Sequence, residues 1–267
     1  MTETPESRQT LEFKTYSLSS GFVRLLNEVT FSAETGDVVA VVGPVGSGKS
    51  VLMQVVSQAL WDTWEKGRSG EQTGSATILG YSVSPKIPNR TIQSILAKEV
   101  VMVQSRSHWL PMPIHQNFSI MGEMLGIAKE ECQFESLVQG FSLPPWTKLQ
   151  LLELSDLLPS QISLPVLQQL AVIRALARKP KVLILDEAFI GMDPVLNRQT
   201  ERMVLDHSEN FTTLIATNDL HQASRLSNKI LYLVRGFVEE FNHTYGFFTN
   251  PQTRSAELFI AGKEESF

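Results

Sequence analysis

Residues 43 to 50 read Gly43-Pro44-Val45-Gly46-Ser47-Gly48-Lys49-Ser50, and few stretches of this length restrict a fold so tightly. The pattern G-x-x-x-x-G-K-[ST] forms a phosphate-binding loop when a strand leads into it and a helix leads out. Both flanks are present: residues 38–42 are an unbroken apolar run, and residues 51–60 are helix-compatible. A continuous β-branched run is what a strand covered on both faces of a parallel sheet requires. In that setting the loop N–H groups and the positive end of the helix point at one phosphate chain. Gly46 and Gly48 let the backbone come close, Lys49 reaches the β- and γ-phosphates, and the Ser50 hydroxyl ligates Mg²⁺. Gly43 through Ser50, with Val51 behind them, are the candidate phosphate-binding residues. The bland alternative is a glycine turn carrying a surface lysine.

With 267 residues, 42% of them hydrophobic and 19% charged, the chain can bury a large single core, with or without a sub-lobe. Its 23 basic and 28 acidic residues give a net charge of −5, which argues against a nucleic-acid partner held by phosphate neutralisation. The single cysteine, Cys132, cannot pair within the chain, so a reducing compartment is expected and thiolate–metal chemistry is not. No apolar run reaches the length of a membrane span. The first residues are polar and acidic, without the basic and apolar regions of a signal peptide. Work at a membrane would go through a partner.

Alternating residues in 11–35 predict short antiparallel strands. Residues 75–80, 99–103, 213–216 and 230–234 read as further strands, and a helix is expected around Ile92, Ile95 and Leu96 and another over 220–226. Residues 109–165 are rich in Leu, Met and Trp at helical spacing, which predicts a helical lobe set into an α/β core. A helix over 166–178 then yields to Val182-Leu183-Ile184-Leu185-Asp186-Glu187. Four apolar residues followed by two acids describe a buried strand whose carboxyl end emerges at a site. Alone, such a pair is as well explained by helix capping or solvation. Beside a Gly-Lys-Ser loop it supplies what MgATP chemistry needs: Asp186 for the metal shell and Glu187 to polarise water.

The run from Gln168 through Arg174, Pro180 and Glu187, then Gly191-Met192-Asp193-Pro194, resembles the nucleotide-binding subunit of ABC transporters. Within that family, residues 101–117 and the tail from Phe247 to Gly262 are similar to the ATP-binding subunit of phosphate importers. The resemblance implies a P-loop NTPase with a mostly parallel core sheet, an antiparallel N-terminal β subdomain and an inserted helical lobe of about 106–165. A single nucleotide-binding domain would span 10–262, with tails at 1–9 and 263–267. It also implies ATP and Mg²⁺, membrane permease subunits, a homodimer or a heterodimer with a second ABC ATPase subunit, and a place at the cytoplasmic face of the membrane.

The same alignment exposes departures. The family signature Leu-Ser-Gly-Gly-Gln, which serves the neighbouring subunit's site, becomes Ile162-Ser163-Leu164-Pro165-Val166. Ser163 survives to face the γ-phosphate, Pro165 has no N–H to give, and Leu164 puts bulk where close approach is wanted. Proline is tolerated in a first helical turn, so the helix itself can persist. The switch histidine falls on Asn218, whose amide donates a hydrogen bond but carries no charge. The metal-contacting glutamine falls on Ser105, with Gln104 one residue early: either Gln104 is re-aimed or the metal loses that contact. The adenine-stacking aromatic falls near Ser20, with Tyr16 and Phe22 as substitutes or as packing residues.

Three readings follow. One is a transport motor, an ABC-type ATPase driving a permease. The second is an impaired paralogue that binds ATP as a regulatory or heterodimer partner with little turnover. A small-molecule P-loop kinase explains Lys49 and Ser50 but not residues 168–194. Binding depends on groups within the chain, and those are intact; removing one positioned donor costs roughly a hundredfold in rate.

Overall fold

The strand that carries the phosphate loop is buried on both sides, and the rest of the core is arranged around it. In the computed structural model, which describes residues 9–59, 70–83, 90–125 and 133–263, this strand is β3, Val38–Val42, with all five side chains buried. Val39 and Val41 join one apolar cluster, whereas Ala40 and Val42 join another, as the two-residue side-chain period dictates. Each fully buried valine contributes about 1.5–3 kcal/mol.

Two sheets are built before and around β3. β1 (Gln9–Ser20) and β2 (Val23–Glu34) form an antiparallel pair that continues through β4 (Gly70–Ile78) to β5 (Tyr81–Ser82), in the order β2-β1-β4-β5. The second sheet has six strands: β6 (Val100–Gln104), β7 (Val182–Asp186), β8 (Thr212–Ala216), β9 (Lys229–Val234) and β10 (Phe237–His243) accompany β3 in the order β10-β9-β3-β8-β7-β6. β3 runs parallel to both β8 and β9, and β7 runs parallel to β8. In this sheet the β9–β10 hairpin is antiparallel. The fold is a mixed α/β architecture with a mostly parallel core sheet and an antiparallel N-terminal sheet, as the sequence predicts.

The sheets are stapled together by side chains. The Thr10 and Thr212 hydroxyls meet at 2.5 Å, with Ala33 O 3.1 Å from Thr10 Oγ1 and Glu34 O 2.7 Å from Thr212 Oγ1, so one hydroxyl donates to the other and the second donates on to its β2 carbonyl. Nearby, the Asp37 carboxylate accepts from the Glu34 N–H at 2.8 Å and from Lys229 Nζ at 2.7 Å. Leu11, Phe13 and Leu18 of β1 pack in one cluster with Leu52, Val55 and Val56 of α1 (Lys49–Val56).

The chain divides into two compact units. The first comprises Met1–Met102, Lys181–Asp186 and Ser208–Phe267, and includes α2 (Arg90–Glu99). The second comprises Val103–Pro180 and Glu187–His207. It holds α3 (Ile114–Leu125), α4 (Phe134–Gly140), α5 (Pro145–Glu153), α6 (Leu164–Ala177) and α7 (Pro194–Leu205). Its aromatic centre is Phe118 against Phe134 at 5.0 Å. The first unit ends in α8 (Leu220–Leu226), α9 (Thr244–Thr249) and α10 (Arg254–Ile260). Among the described residues no helix is long and apolar enough to cross a membrane.

β1 and β2 are longer than the short strands expected from the pattern, because bulges break the alternation without ending the pairing. Thr15 and Glu28 take positive φ values of 45° and 46°, and the β1–β4 register slips between Lys14 and Ser17. Gly74 faces that bulge at φ 72°, and a Cβ there would lie 2.2 Å from the Thr15 carbonyl oxygen. Cys132, Leu60 and the proline loop before α2 lie outside the described residues.

Gly74→Ala is expected to destabilise the fold by about 2–4 kcal/mol, through backbone clash and left-handed strain together. Gly80, at φ 80° with open space around it, supplies the control: its alanine variant should cost about 1 kcal/mol, for strain alone. Urea denaturation of both variants separates the two contributions.

Candidate nucleotide-binding site

The phosphate loop leaves β3 through Gly43, at φ 150°. A Cβ at this position would lie 2.0 Å from the Leu233 carbonyl oxygen of β9, so only glycine lets the chain turn here. Gly46 follows at φ 79° and Gly48 at φ 104°, the latter as the N-cap of α1. The loop is propped from outside. Gly236, in the tight turn between β9 and β10, donates its N–H to the Ser47 carbonyl at 2.8 Å, and its own carbonyl accepts from Asn27 N–H of β2 at 2.8 Å. A segment from each sheet therefore fixes the loop's height.

Lys49, 7% exposed, donates Nζ to the carbonyls of Gly43 at 2.7 Å and Pro44 at 2.9 Å. The ammonium is thus folded back over its own loop, within reach of a phosphate laid along it. The Ser50 hydroxyl donates to Asp186 Oδ1 at 3.2 Å, joining the end of β7 to the first turn of α1. Val51 packs its side chain against the core, which leaves its backbone as the part that can face an anion. Lys49, Ser50 and Asp186 lie together in the first unit. A glycine cradle with no room for a Cβ, a nearly buried ammonium and a hydroxyl–carboxylate pair fit a nucleotide triphosphate and a divalent cation.

Asn218, also in this unit, is exposed just after β8. Its neighbours are held firmly. Thr217 Oγ1 donates to Gln222 Oε1 at 2.9 Å, and Asp219 caps α8 by accepting from the N–H groups of His221 and Gln222 at 2.8 and 3.1 Å.

The aromatic candidates separate cleanly. Tyr16 is fully buried, edge-on to Phe13 at 5.3 Å, and burial pushes its phenol above the ordinary range. It is a packing residue, and stacking on a base is excluded for it. Phe22 is wholly exposed at the tip of the β1–β2 hairpin. That hairpin returns close to the loop: the Leu25 carbonyl lies 3.0 Å from where a Gly48 Cβ would be.

The second unit carries the remaining candidates. Glu187 directly follows β7 in a left-handed conformation, φ 51°, unusual for a residue with a Cβ and seen at sites where the backbone is over-determined. Two overlapping turns and Gly191 at φ 76° then lead to Asp193, which caps α7 through the N–H groups of Val195 and Leu196. Gln104 ends β6, and its main-chain carbonyl accepts from Gln168 Nε2 at 2.8 Å. Ser163 is the exposed N-cap of α6 and makes no side-chain cap bond. Leu164 and Pro165 occupy the first two helical positions, so the helix persists through its proline as expected.

The motif reading passed over how firmly α6 grips the loop after β6. Gln168, fully buried, holds Gln104 O and also accepts from Ser107 N–H at 3.4 Å. Six residues on, Arg174 donates to His108 O at 3.0 Å and lies 4.0 Å from the centre of the Trp109 ring. Burial, with the like charge of Arg178, lowers its pKa to about 10, so the guanidinium stays charged at neutral pH and the cation–π contact holds. Asn117 closes the same loop by bonding Leu110, Met112 and Pro113. His115 bonds the Ser155 carbonyl at 2.9 Å, a packing role.

Comparison with known proteins places these features in context. The family model described as ABC transporter matches residues 26–190. The phosphate import ATP-binding protein PstB 1 of Streptococcus pneumoniae is 31% identical over 246 residues, covering 90% of this chain and 92% of that protein. PstB of Aeropyrum pernix is 30% identical, covering 90% and 92%. Among solved structures, an ATP-binding subunit of an ABC transporter superposes with a TM-score of 0.76 at 18% identity, covering 94% of this chain and 98% of that one. CbiO1 of Clostridium perfringens, part of the complex cbiONQ, gives 0.73 at 19%, covering 91% and 92%. At such identities these structures speak for the fold alone.

Gly43→Ala should displace the loop and weaken nucleotide binding by about a hundredfold, because its Cβ meets fixed backbone. Gly46→Ala, with open space at its Cβ, should cost less than tenfold. Titration with a fluorescent ATP analogue, alongside a thermal melt, measures both.

Proposed function

The chain belongs to the ABC transporter family and is an ABC-type ATPase, and we propose that it serves as the ATP-binding subunit of a phosphate-type importer. In this reading residues 10–262 act as one nucleotide-binding domain with a helical lobe at about 106–165. It couples MgATP binding and hydrolysis to solute passage through membrane permease subunits, at the cytoplasmic face, as a dimer with itself or with a second ABC ATPase. The observation that carries the proposal is the cradle within the first unit: Gly43 without room for a Cβ, Lys49 folded over the loop, and Ser50 bonded to Asp186. The similarity to phosphate import ATP-binding proteins at about 30% identity supports phosphate as the solute class.

The residues divide the work by chemistry. Backbone N–H groups from Gly46 to Val51 and the start of α1 receive the phosphates, and Lys49 neutralises charge on the outer two. Ser50 and Asp186 would hold Mg²⁺, which when bound neutralises developing phosphate charge. Gln104 offers a third polar contact from the β6 end. Glu187 orients and polarises the attacking water, and Asn218 donates to the transferred phosphate. Phe22, exposed and free of packing duties, serves as the base-stacking ring in place of Ser20 and Tyr16.

A second reading, an ATP-binding paralogue with little turnover, draws on the N-terminus of α6. Leu164 is 46% exposed there, and Pro165 removes a first-turn N–H. The two readings differ in rate and agree on binding.

Lys49→Ala should abolish ATP binding by calorimetry; unchanged affinity would refute the loop assignment. Glu187→Gln should retain ATP affinity and lower steady-state hydrolysis by about a hundredfold or more. Pro165→Gly should raise hydrolysis more than affinity, and a change confined to affinity would rule against the worn-signature reading.

A further inference from the structure

The first half of the phosphate loop borders a cavity of 610 Å³ whose lining includes neither Ser50 nor Asp186. Its walls belong to the first unit alone: Val45 and Ser47 of the loop, Tyr232 and Arg235 at the end of β9, and Phe259 and Lys263 at the end of α10. Among the described residues that line this cavity two are cations and none is a carboxylate, in a chain whose net charge is −5.

Both cations are placed by backbone geometry. Arg235 sits at φ 49° in the β9–β10 turn, next to the Gly236 that props the loop. Lys263 follows a Schellman stop on α10: its N–H bonds Leu258 O at 2.9 Å, Gly262 N–H bonds Phe259 O at 3.1 Å, and Gly262 takes φ 67°. Phe259, half-buried, also lines the cavity and is backed by the buried Tyr232, whose ring stacks on it at 4.8 Å and 24°. Tyr232 is steadied by its hydroxyl contact with Ser255 Oγ at 3.1 Å. The Ser47 hydroxyl is buried and has no hydrogen-bond partner among the described residues, an arrangement that is unfavourable unless a ligand satisfies it.

We propose that this cavity is a second anion site, distinct from the ATP cradle, for a phosphate monoester that carries a ring, of the size of a nucleoside monophosphate. The cations and the Ser47 hydroxyl take the phosphate, and Phe259, backed by Tyr232, takes the ring. Orthophosphate alone shares the first chemistry but leaves most of a cavity of this volume unfilled. Because Pro44 to Ser47 form one wall, the occupant touches the same loop that meets ATP. Any coupling between the two sites is then equal in both directions.

The test is calorimetric titration of AMP into the whole chain saturated with a non-hydrolysable ATP analogue, and into Lys49→Ala. One equivalent of AMP should bind in each case. Lys263→Glu and Phe259→Ala should each weaken it at least tenfold while leaving analogue affinity within twofold; Lys263 is at the surface, so its variant guards against loss of folding. Absence of AMP binding once the analogue is bound, or AMP affinity untouched by both variants, overturns the site. Orthophosphate binding as tightly as AMP overturns the ring component. Loss of analogue binding in Lys49→Ala bears only on the cradle, so the two assignments fail separately.

Discussion

The contact between Gly43 and the β9 backbone sets the geometry of everything around the phosphate loop. With the Leu233 carbonyl oxygen 2.0 Å from a hypothetical Cβ, β3 and β9 can hydrogen-bond to their last residues and still let the chain turn off sharply. The turn aims the start of α1 back over the sheet edge, which brings Ser50 to Asp186. The β9–β10 turn then fixes the loop from outside through Gly236. Glycine is needed here for want of space, and its flexibility is a cost that the surrounding bonds offset. A loop this braced presents its N–H groups already oriented, so little ordering entropy is lost when an anion arrives.

Much of this was legible because the relevant signals are local. An unbroken Val-rich run gives β3 its bounds exactly as the structure has them, and α8 and β7 follow from equally plain periodicity. The motif spacing located Lys49, Ser50 and Asp186 before any contact was known. α9 and α10, of six and seven residues, were not legible, whereas the equally short α8 was bracketed by two plainly apolar strands, β8 and β9. β10 buries only Glu240 fully, so its alternation is weak. The Thr15 and Glu28 bulges hid the length of β1 and β2 for the opposite reason, as pairing survives where the pattern breaks. Tyr16 and Phe22 are both aromatic, and only burial separates packing from availability.

The departures from the family pattern do not disturb the scaffold that carries them. Pro165 suits the start of α6, where its missing N–H costs the helix nothing, and Leu164 stays in solvent. Asn218 sits in a turn secured by Thr217, Asp219 and Gln222, so the position persists while its chemistry changes. Glu187, by contrast, keeps its identity and bears a left-handed backbone.

The grip of α6 on the loop after β6 has a mechanical consequence. Gln168 and Arg174 seize that loop at points six residues apart on one helix, and Asn117 ties its far end, so the assembly has no internal joint. Buried amide bonds and a stacked guanidinium must break together or not at all. Leu110 and Ser163 therefore stand at the two ends of one continuously hydrogen-bonded segment.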